Sequence, residues 1–239
     1  MSIEAGTVLN ILSAGAAKAV VEKLAAQFES QSGVRVAATF GAVGAMQERL
    51  FAGAACDVII LTAKQIAVLA TAGSVVAASA EPLGAVYTGV AVRAADPRPA
   101  VATAAELRAA LLGADGIYFP DPVKATAGIH FAKVLAQLNI ADQVAARLKP
   151  HPAGAIAMRA MADSTLPVVL GCTQVTEILY TSGAALVARL PKKFELATVY
   201  SVALCTSAAV NEFAARFAAM LGGEESVMLR RGAGFEAVA

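Results

Sequence analysis

Apolar, strand-like runs pass into segments of helical period through short turns of small residues, and this alternation constrains the fold more than any other feature of the chain. Runs at about 7 to 12, 34 to 40 and 57 to 62 are each followed by a helical segment. In the first of these segments Val20, Leu24 and Phe28 recur between Lys18, Glu22, Lys23 and Glu29, which predicts an amphipathic helix ending at Ser32-Gly33. Order of this βαβα kind predicts an α/β fold with a parallel sheet. A second series begins near Gly84, with a strand over Ala85 to Val92, a helix from about Thr103 to Leu112 and the strand Ile117-Tyr118-Phe119. Helices from about Thr126 and Ala155, a strand at Leu166 to Leu170, a helix from Gln174 and a strand at Ala185 to Leu190 complete it. Ala197 to Cys205 then precedes a helix around Ala208 to Leu221. With no low-complexity linker or internal repeat between the two series, the pattern predicts two compact, hinged lobes.

Four of the turns stand out: Ser13-Ala14-Gly15-Ala16, Gly41-Ala42-Val43-Gly44-Ala45, Ala125-Thr126-Ala127-Gly128 and Gly171-Cys172-Thr173-Gln174. A helix N-terminus carries unpaired backbone N–H groups and a partial positive charge, and small side chains let an anion approach them. Ser13, Ala14, Gly15, Ala16, Ala42, Val43, Gly44, Thr126, Ala127, Thr173 and Gln174 are therefore candidate anion-binding residues. Lys124, just before the third turn, is a candidate countercharge. A second reading stays open for each: helix starts favour small or capping residues in any case, Thr126 and Thr173 are natural N-caps, and Lys124 is a solvated lysine.

Composition removes several function classes. The 239 residues are 58% hydrophobic, enough for two cores, yet Lys64, Arg93 and Glu195 interrupt the stretches that would otherwise approach the ~18 apolar residues of a membrane span. Net charge is +1 with dispersed charges, unlike the basic stripe of a nucleic-acid binder. No Trp is present and aromatics make up 5%, which argues against stacking platforms for sugars or bases. The three cysteines lack zinc or redox spacing; Cys56 and Cys205 sit in apolar runs and read as small buried residues. No metal-ligand cluster is visible, Gly41 to Gly44 lacks the Lys-Ser/Thr ending of a phosphate-binding loop, and no cofactor is expected. The start Met-Ser-Ile-Glu shows no basic region, apolar core or cleavage site, which favours the cytoplasm; a periplasmic protein whose leader had been exchanged for Met would read the same.

Set side by side, Leu9 to Val20, Phe40 to Thr62, Asp121 to Phe131 and Pro167 to Glu177 resemble the periplasmic molybdate-binding proteins of ABC transporters, and more broadly the type II solute-binding fold. The most specific pieces are Gly53-Ala54-Ala55-Cys56-Asp57-Val58 and Asp121-Pro122 followed by Ala127-Gly128. The resemblance implies two α/β lobes joined by two crossovers, residues 1–82 with 198–239 and residues 83–197, with the ligand in the cleft between them. It also implies an ABC permease as partner if the chain is exported. Where that family places serine hydroxyls at the first two turns and a tyrosine hydroxyl at the fourth, this chain has Ala16, Val43 and Cys172; Ala127 matches the family's backbone donor. Each missing charge-assisted hydrogen bond is worth roughly 1.5 to 3 kcal/mol, so a ligand other than molybdate is expected. The patterns Phe-Gly-Ala-Val-Gly-Ala, Ala-Thr-Ala-Gly-Ile-His and Gly-Cys-Thr-Gln-Val-Thr-Glu-Ile resemble a divergent branch related to aconitate isomerase, which implies a tricarboxylate and a double-bond shift by proton transfer.

Two functions thus remain open, a receptor for a small organic acid or oxyanion and an isomerase of a small polycarboxylate. For the second, His130, Cys172 and Glu177 are the candidate proton-moving residues. His130 falls about one turn into the helix from Thr126, where an imidazole, the side chain whose unperturbed pKa lies nearest neutrality, could act as a base, though a packed helix histidine is the alternative. Cys172 at a helix start can have a lowered pKa, or be a small buried residue. Glu177 suits the helix dipole without any catalytic role, and Gln174 can donate its amide to a carboxylate. His151, between two prolines, reads as a loop residue.

Overall fold

The computed structural model describes residues 7–238. In chain order the described elements are β1 (Val8–Ala14), α1 (Lys18–Ser32), β2 (Arg35–Gly41), α2 (Val43–Phe51), β3 (Val58–Thr62), α3 (Ala63–Thr71), β4 (Glu81–Arg93), α4 (Ala104–Gly113), β5 (Gly116–Pro120) and α5 (Thr126–Gln137). There follow α6 (Ala141–Val144), β6 (Leu148–His151), α7 (Gly154–Ala162), β7 (Val169–Gln174), α8 (Val175–Tyr180), β8 (Ala184–Arg189), β9 (Ala197–Leu204), α9 (Glu212–Gly222) and α10 (Val227–Gly232). The chain divides into two compact units, Met1–Ala85 with Thr198–Ala239 and Val86–Ala197.

In unit 1 the strands run β2-β1-β3-β9, the first three parallel and β9 antiparallel to β3. Val58, Ile59, Ile60 and Leu61 are all fully buried, as a central strand covered on both faces requires. The predicted periodicity of α1 is realised: Val20, Leu24 and Phe28 are buried, and the Phe28 ring meets Phe217 of α9 edge-on at 5.2 Å. Gly33 closes α1 in the left-handed region, φ 70°, its N–H bonded to the Glu29 carbonyl. The Gly53-to-Val58 motif has a local structural explanation. Gly53 turns the chain at φ 82°, and the Asp57 carboxylate accepts the Asn10 backbone N–H at 2.7 Å, clamping the entry of β3 to β1.

Unit 2 is a mixed sheet in which β4 is antiparallel to β7 and β8, while β5 lies parallel to both β7 and β6. Strand alternation sorts its side chains onto two faces. Val90, Val92, Ile117, Phe119, Leu170 and Cys172 pack with α4 and α5, whereas Ala91, Tyr118 and Val169 pack with Ala157, Met158 and Met161 of α7. Helix α4 opens with the reciprocal Thr103 and Glu106 capping box.

Several boundaries differ from the sequence reading. The strand expected over 166–170 forms at Val169–Gln174, because Leu166 and Pro167 give their carbonyls to the Arg93 guanidinium instead of to a ladder. The last long helix starts at Glu212, where the Asn211 side chain accepts the N–H groups of Phe213 and Ala214; residues 206–208 form a short 3-10 turn. His151 ends a strand rather than lying in a loop, pairing opposite Pro120 and stacking on Tyr118 with ring centroids 5.9 Å apart. Burial moves its pKa down.

Candidate functional site

Within each unit, the turns singled out in the sequence follow adjacent parallel strands. In unit 1, Ala14 at the end of β1 pairs with Gly41 at the end of β2, which sets the first two turns side by side. In unit 2, Tyr118 of β5 pairs with Gly171 of β7, so the third and fourth turns leave neighbouring strands at their carboxyl ends. A third helix starts at the same edge of each sheet, α3 after β3 and α7 after β6.

One N-terminus in each unit is closed by the protein itself. Thr62 caps α3, its hydroxyl accepting the Gln65 N–H at 3.3 Å. The start of α7 is closed by Glu177, whose carboxylate accepts the backbone N–H groups of Gly154 and Ala155 and also that of Gln174, with the Thr173 hydroxyl donating to it at 2.5 Å. Burial nonetheless dominates and raises the pKa of Glu177, against the downward pull of the Thr173, Ala155, Gly154 and Gln174 hydrogen bonds. Gly154 has no room for a side chain: a Cβ would run into the Glu177 carboxylate and the Thr173 hydroxyl.

Three of the four small-residue turns remain without a side-chain cap and retain partial exposure. Ala14 and Ala17 precede the 3-10 turn and α1, Ala42 precedes α2, and Ala125 precedes α5; none caps through a side chain. Gly15, Gly44 and Thr126 are half-buried, while Ala14, Ala16, Ala42, Val43 and Ala127 are buried. Ser13 is fully buried and its hydroxyl donates to the Ala14 carbonyl at 3.0 Å. At the third turn the Asp121 carboxylate accepts the N–H groups of Val123 and Lys124, fixing the loop, and Gly128 lies against the Pro120 and Asp121 carbonyls where a Cβ would collide. The side chain of Lys124 is exposed.

The capping assignments need correction. Ala125 is the N-cap of α5 and Thr126 its first helical residue, and Gln174 is the N-cap of α8 with Thr173 still in β7. The reason is that Thr173 bonds Glu177, not the helix backbone. The fourth turn is also unlike the others, since every residue from Val169 to Ile178 is buried. Cys172 faces the core beside Val90 and Leu170, and burial pushes its thiol up, opposite to the lowering considered from its place near a helix start. Two buried hydroxyls, Thr88 opposite Gln174 on β4 and Thr176 in α8, make no hydrogen bond among the described residues.

His130 is half-buried, and its Nε2 meets the Phe194 carbonyl at 2.7 Å. A carbonyl only accepts, so Nε2 carries the proton and Nδ1 is the basic nitrogen of the neutral ring. The sequence offered no signal for this contact, which spans 64 residues. A cavity of about 360 Å³ in unit 2, lined by Pro97, Arg98, Pro99, Ala110, Val168 and others, lies at the opposite end of β7 from the turns. Among the described residues no group of three or more His, Cys, Asp or Glu side chains is placed to hold a metal ion, and no helix is long and apolar enough to cross a membrane.

Two mixed α/β units, each with helices starting at the carboxyl ends of parallel strands, have the type II periplasmic-binding fold. The structure superposes on the periplasmic molybdate-binding protein of Azotobacter vinelandii with a TM-score of 0.78 at 20% identity, over 97% of this chain and 100% of that one. It also superposes on the sulfate-binding protein of Mycobacterium tuberculosis H37Rv with a TM-score of 0.71 at 18% identity, over 97% and 87% respectively. A curated relative, aconitate isomerase of a Pseudomonas species, is 26% identical over 207 residues, 83% of this chain and 76% of that protein. Residues 9–236 match the family model of the bacterial extracellular solute-binding proteins, and the chain belongs to that family.

Proposed function

We propose that the protein binds a small anion, an organic acid or an oxyanion, through the helix starts of α1 and α2 in unit 1 and α5 in unit 2, as a solute-binding protein. The observation that carries this reading is the difference between closed and open N-termini. Thr62 and Glu177 occupy one helix start in each unit, while those of α1, α2 and α5 have no side-chain cap and keep a half-buried small or hydroxyl residue beside their N–H groups. An anion at such a start gains backbone hydrogen bonds and the helix dipole without a fixed cationic partner. Serine hydroxyls are absent at Ala16 and Val43, so backbone donors dominate and a carboxylate suits the site better than molybdate. Export to the periplasm with an ABC permease as partner is part of this reading, supported by the extracellular family.

The test is a titration of wild type, Gly44→Asp and Ala127→Asp with citrate, the aconitates, sulfate and molybdate. Loss of the same ligand in both variants is the expected outcome. Loss in only one would confine the site to that unit, and wild-type affinity in both folded variants would remove the helix starts from binding.

A second reading, isomerisation of a tricarboxylate, is supported by the aconitate isomerase relative and by His130, whose Nδ1 is left basic by the Phe194 contact. In this reading Nδ1 takes a proton from the carbon beside the double bond while N–H donors hold the carboxylates. Cys172 and Glu177, both buried, one packed in the core and one bonded to backbone, suit this role less than His130. Incubation with cis- or trans-aconitate followed by chromatography decides: conversion that falls steeply in His130→Asn while binding persists favours the isomerase, and binding without conversion favours the receptor.

A further inference from the structure

The three cysteines occupy two environments. Cys172 lies in the unit 2 core, whereas Cys56 and Cys205 are buried together in unit 1, where β3 begins and β9 ends. Val58 stands opposite Leu204 in the antiparallel ladder, and the pairing continues one step beyond it: the Cys205 N–H donates to the Asp57 carbonyl at 2.9 Å. The two thiols hydrogen-bond each other, and the Cys56 thiol reaches the Val58 carbonyl at 3.3 Å. The hydrogen bond from Cys205 is the leading cause that lowers the pKa of Cys56, and the same contact, with burial, raises that of Cys205. Cys56 is thus the better nucleophile of the pair.

We propose that Cys56 and Cys205 form a disulfide that covalently joins the two separate segments of unit 1. Cys56 belongs to the first segment and Cys205 to the second, with the whole of unit 2 between them in the chain. The ladder of β3 and β9 sets the two cysteines on neighbouring strands one position out of register, beside the Cys205 N–H to Asp57 carbonyl bond, and a disulfide there needs Cα atoms no more than about 7 Å apart. Access comes from the element ends: Phe51 to Ala55 precede Cys56 and Thr206 and Ser207 follow Cys205, all exposed. The oxidant is a small-molecule disulfide. The Cys56 thiolate attacks one of its sulfurs, releasing one thiolate and forming a mixed disulfide. The Cys205 sulfur, giving up its proton, then attacks Cys56 and releases the second thiolate. Two protein S–H bonds are replaced by one S–S bond, and the reagent takes up two electrons and two protons to become two thiols. Extracellular family members meet such oxidants, where cytosolic proteins do not.

The experiment incubates the reduced full chain with oxidised glutathione, both in the folded state and during refolding, and counts thiols in denaturant. The expected result is a fall from three titratable thiols to one, a mass loss of two hydrogens and a peptide pair linking Cys56 to Cys205, all reversed by a phosphine reductant. Cys172→Ala should fall from two thiols to none, while Cys56→Ser and Cys205→Ser should retain unlinked thiols or carry glutathione. Three persistent thiols after both treatments, a stable glutathione adduct on wild type, or a link through Cys172 would each overturn the proposal.

Discussion

Glu177 concentrates much of the chemistry of unit 2 in one side chain. It bridges the starts of α7 and α8 and satisfies a buried threonine, so removing its oxygens leaves Thr173, Gly154, Ala155 and Gln174 short of an acceptor. Each orphaned buried donor costs roughly 1 to 3 kcal/mol, and Glu177→Ala is expected to destabilise by about 3 kcal/mol or more, read as a shift in the denaturant midpoint. The amide in Glu177→Gln retains an acceptor oxygen without the buried charge. Since burial raises the folded pKa of Glu177 above 4.5, the folded state holds its proton more tightly than the unfolded chain. That contribution is fully present below the unfolded carboxylate pKa and is lost as pH rises through the folded value. Wild type should therefore lose stability relative to Glu177→Gln as pH rises from 4.5, and parallel melting curves across that window would show that the four hydrogen bonds outweigh burial.

At the scale of the element, the helix starts decide what the sheet edges can do. Gly128 lets α5 begin hard against the Pro120 and Asp121 carbonyls, so Gly128→Ala should displace that start and cost about 2 kcal/mol or more by overpacking, measured by chemical denaturation. At α2, Gly44→Asp places a carboxylate at a half-buried position within the second turn. A carboxylate about 4 Å from a bound anion at an effective dielectric near 20 costs on the order of 4 kcal/mol, roughly a thousandfold in affinity. A folded Gly44→Asp variant that binds as wild type would separate α2 from the ligand.

For the whole molecule, ligand binding and stability are linked. A ligand bound only by the folded chain at a hundred times its dissociation constant adds about 2.7 kcal/mol, which for a chain of this length is a rise of roughly 5 to 10 °C in Tm. Among molybdate, sulfate, phosphate, citrate and the aconitates, a carboxylate is expected to give the largest shift at equal concentration. A panel led by molybdate would contradict the argument from the absent serine hydroxyls. The two-unit division belongs to this scale too. Unit 1 is assembled from both ends of the chain, so the second segment, β9 and α9 included, must return to β3 and α1 before that core is complete.

The amino-acid sequence by itself determined the α/β class, the order of the elements and the places where strands give way to helices, because apolar periodicity and small-residue turns are local signals. Val20, Leu24 and Phe28 on α1, Gly33 at its end and the start of α4 near Thr103 were legible for that reason. Only the tertiary structure decided which helix starts stay open. Glu177 reaches across to Gly154 and Ala155, His130 to Phe194, and Cys56 to Cys205, each contact joining residues more than 20 positions apart. Whether Thr173 caps a helix or donates to a carboxylate, and whether Cys172 meets a dipole or a core, depends on which face of β7 each side chain takes once that strand is seated between β4 and β5. That strand begins about three residues later than its apolar run predicts, with Arg93 drawing the Leu166 and Pro167 carbonyls through long-range hydrogen bonds that no local pattern encodes.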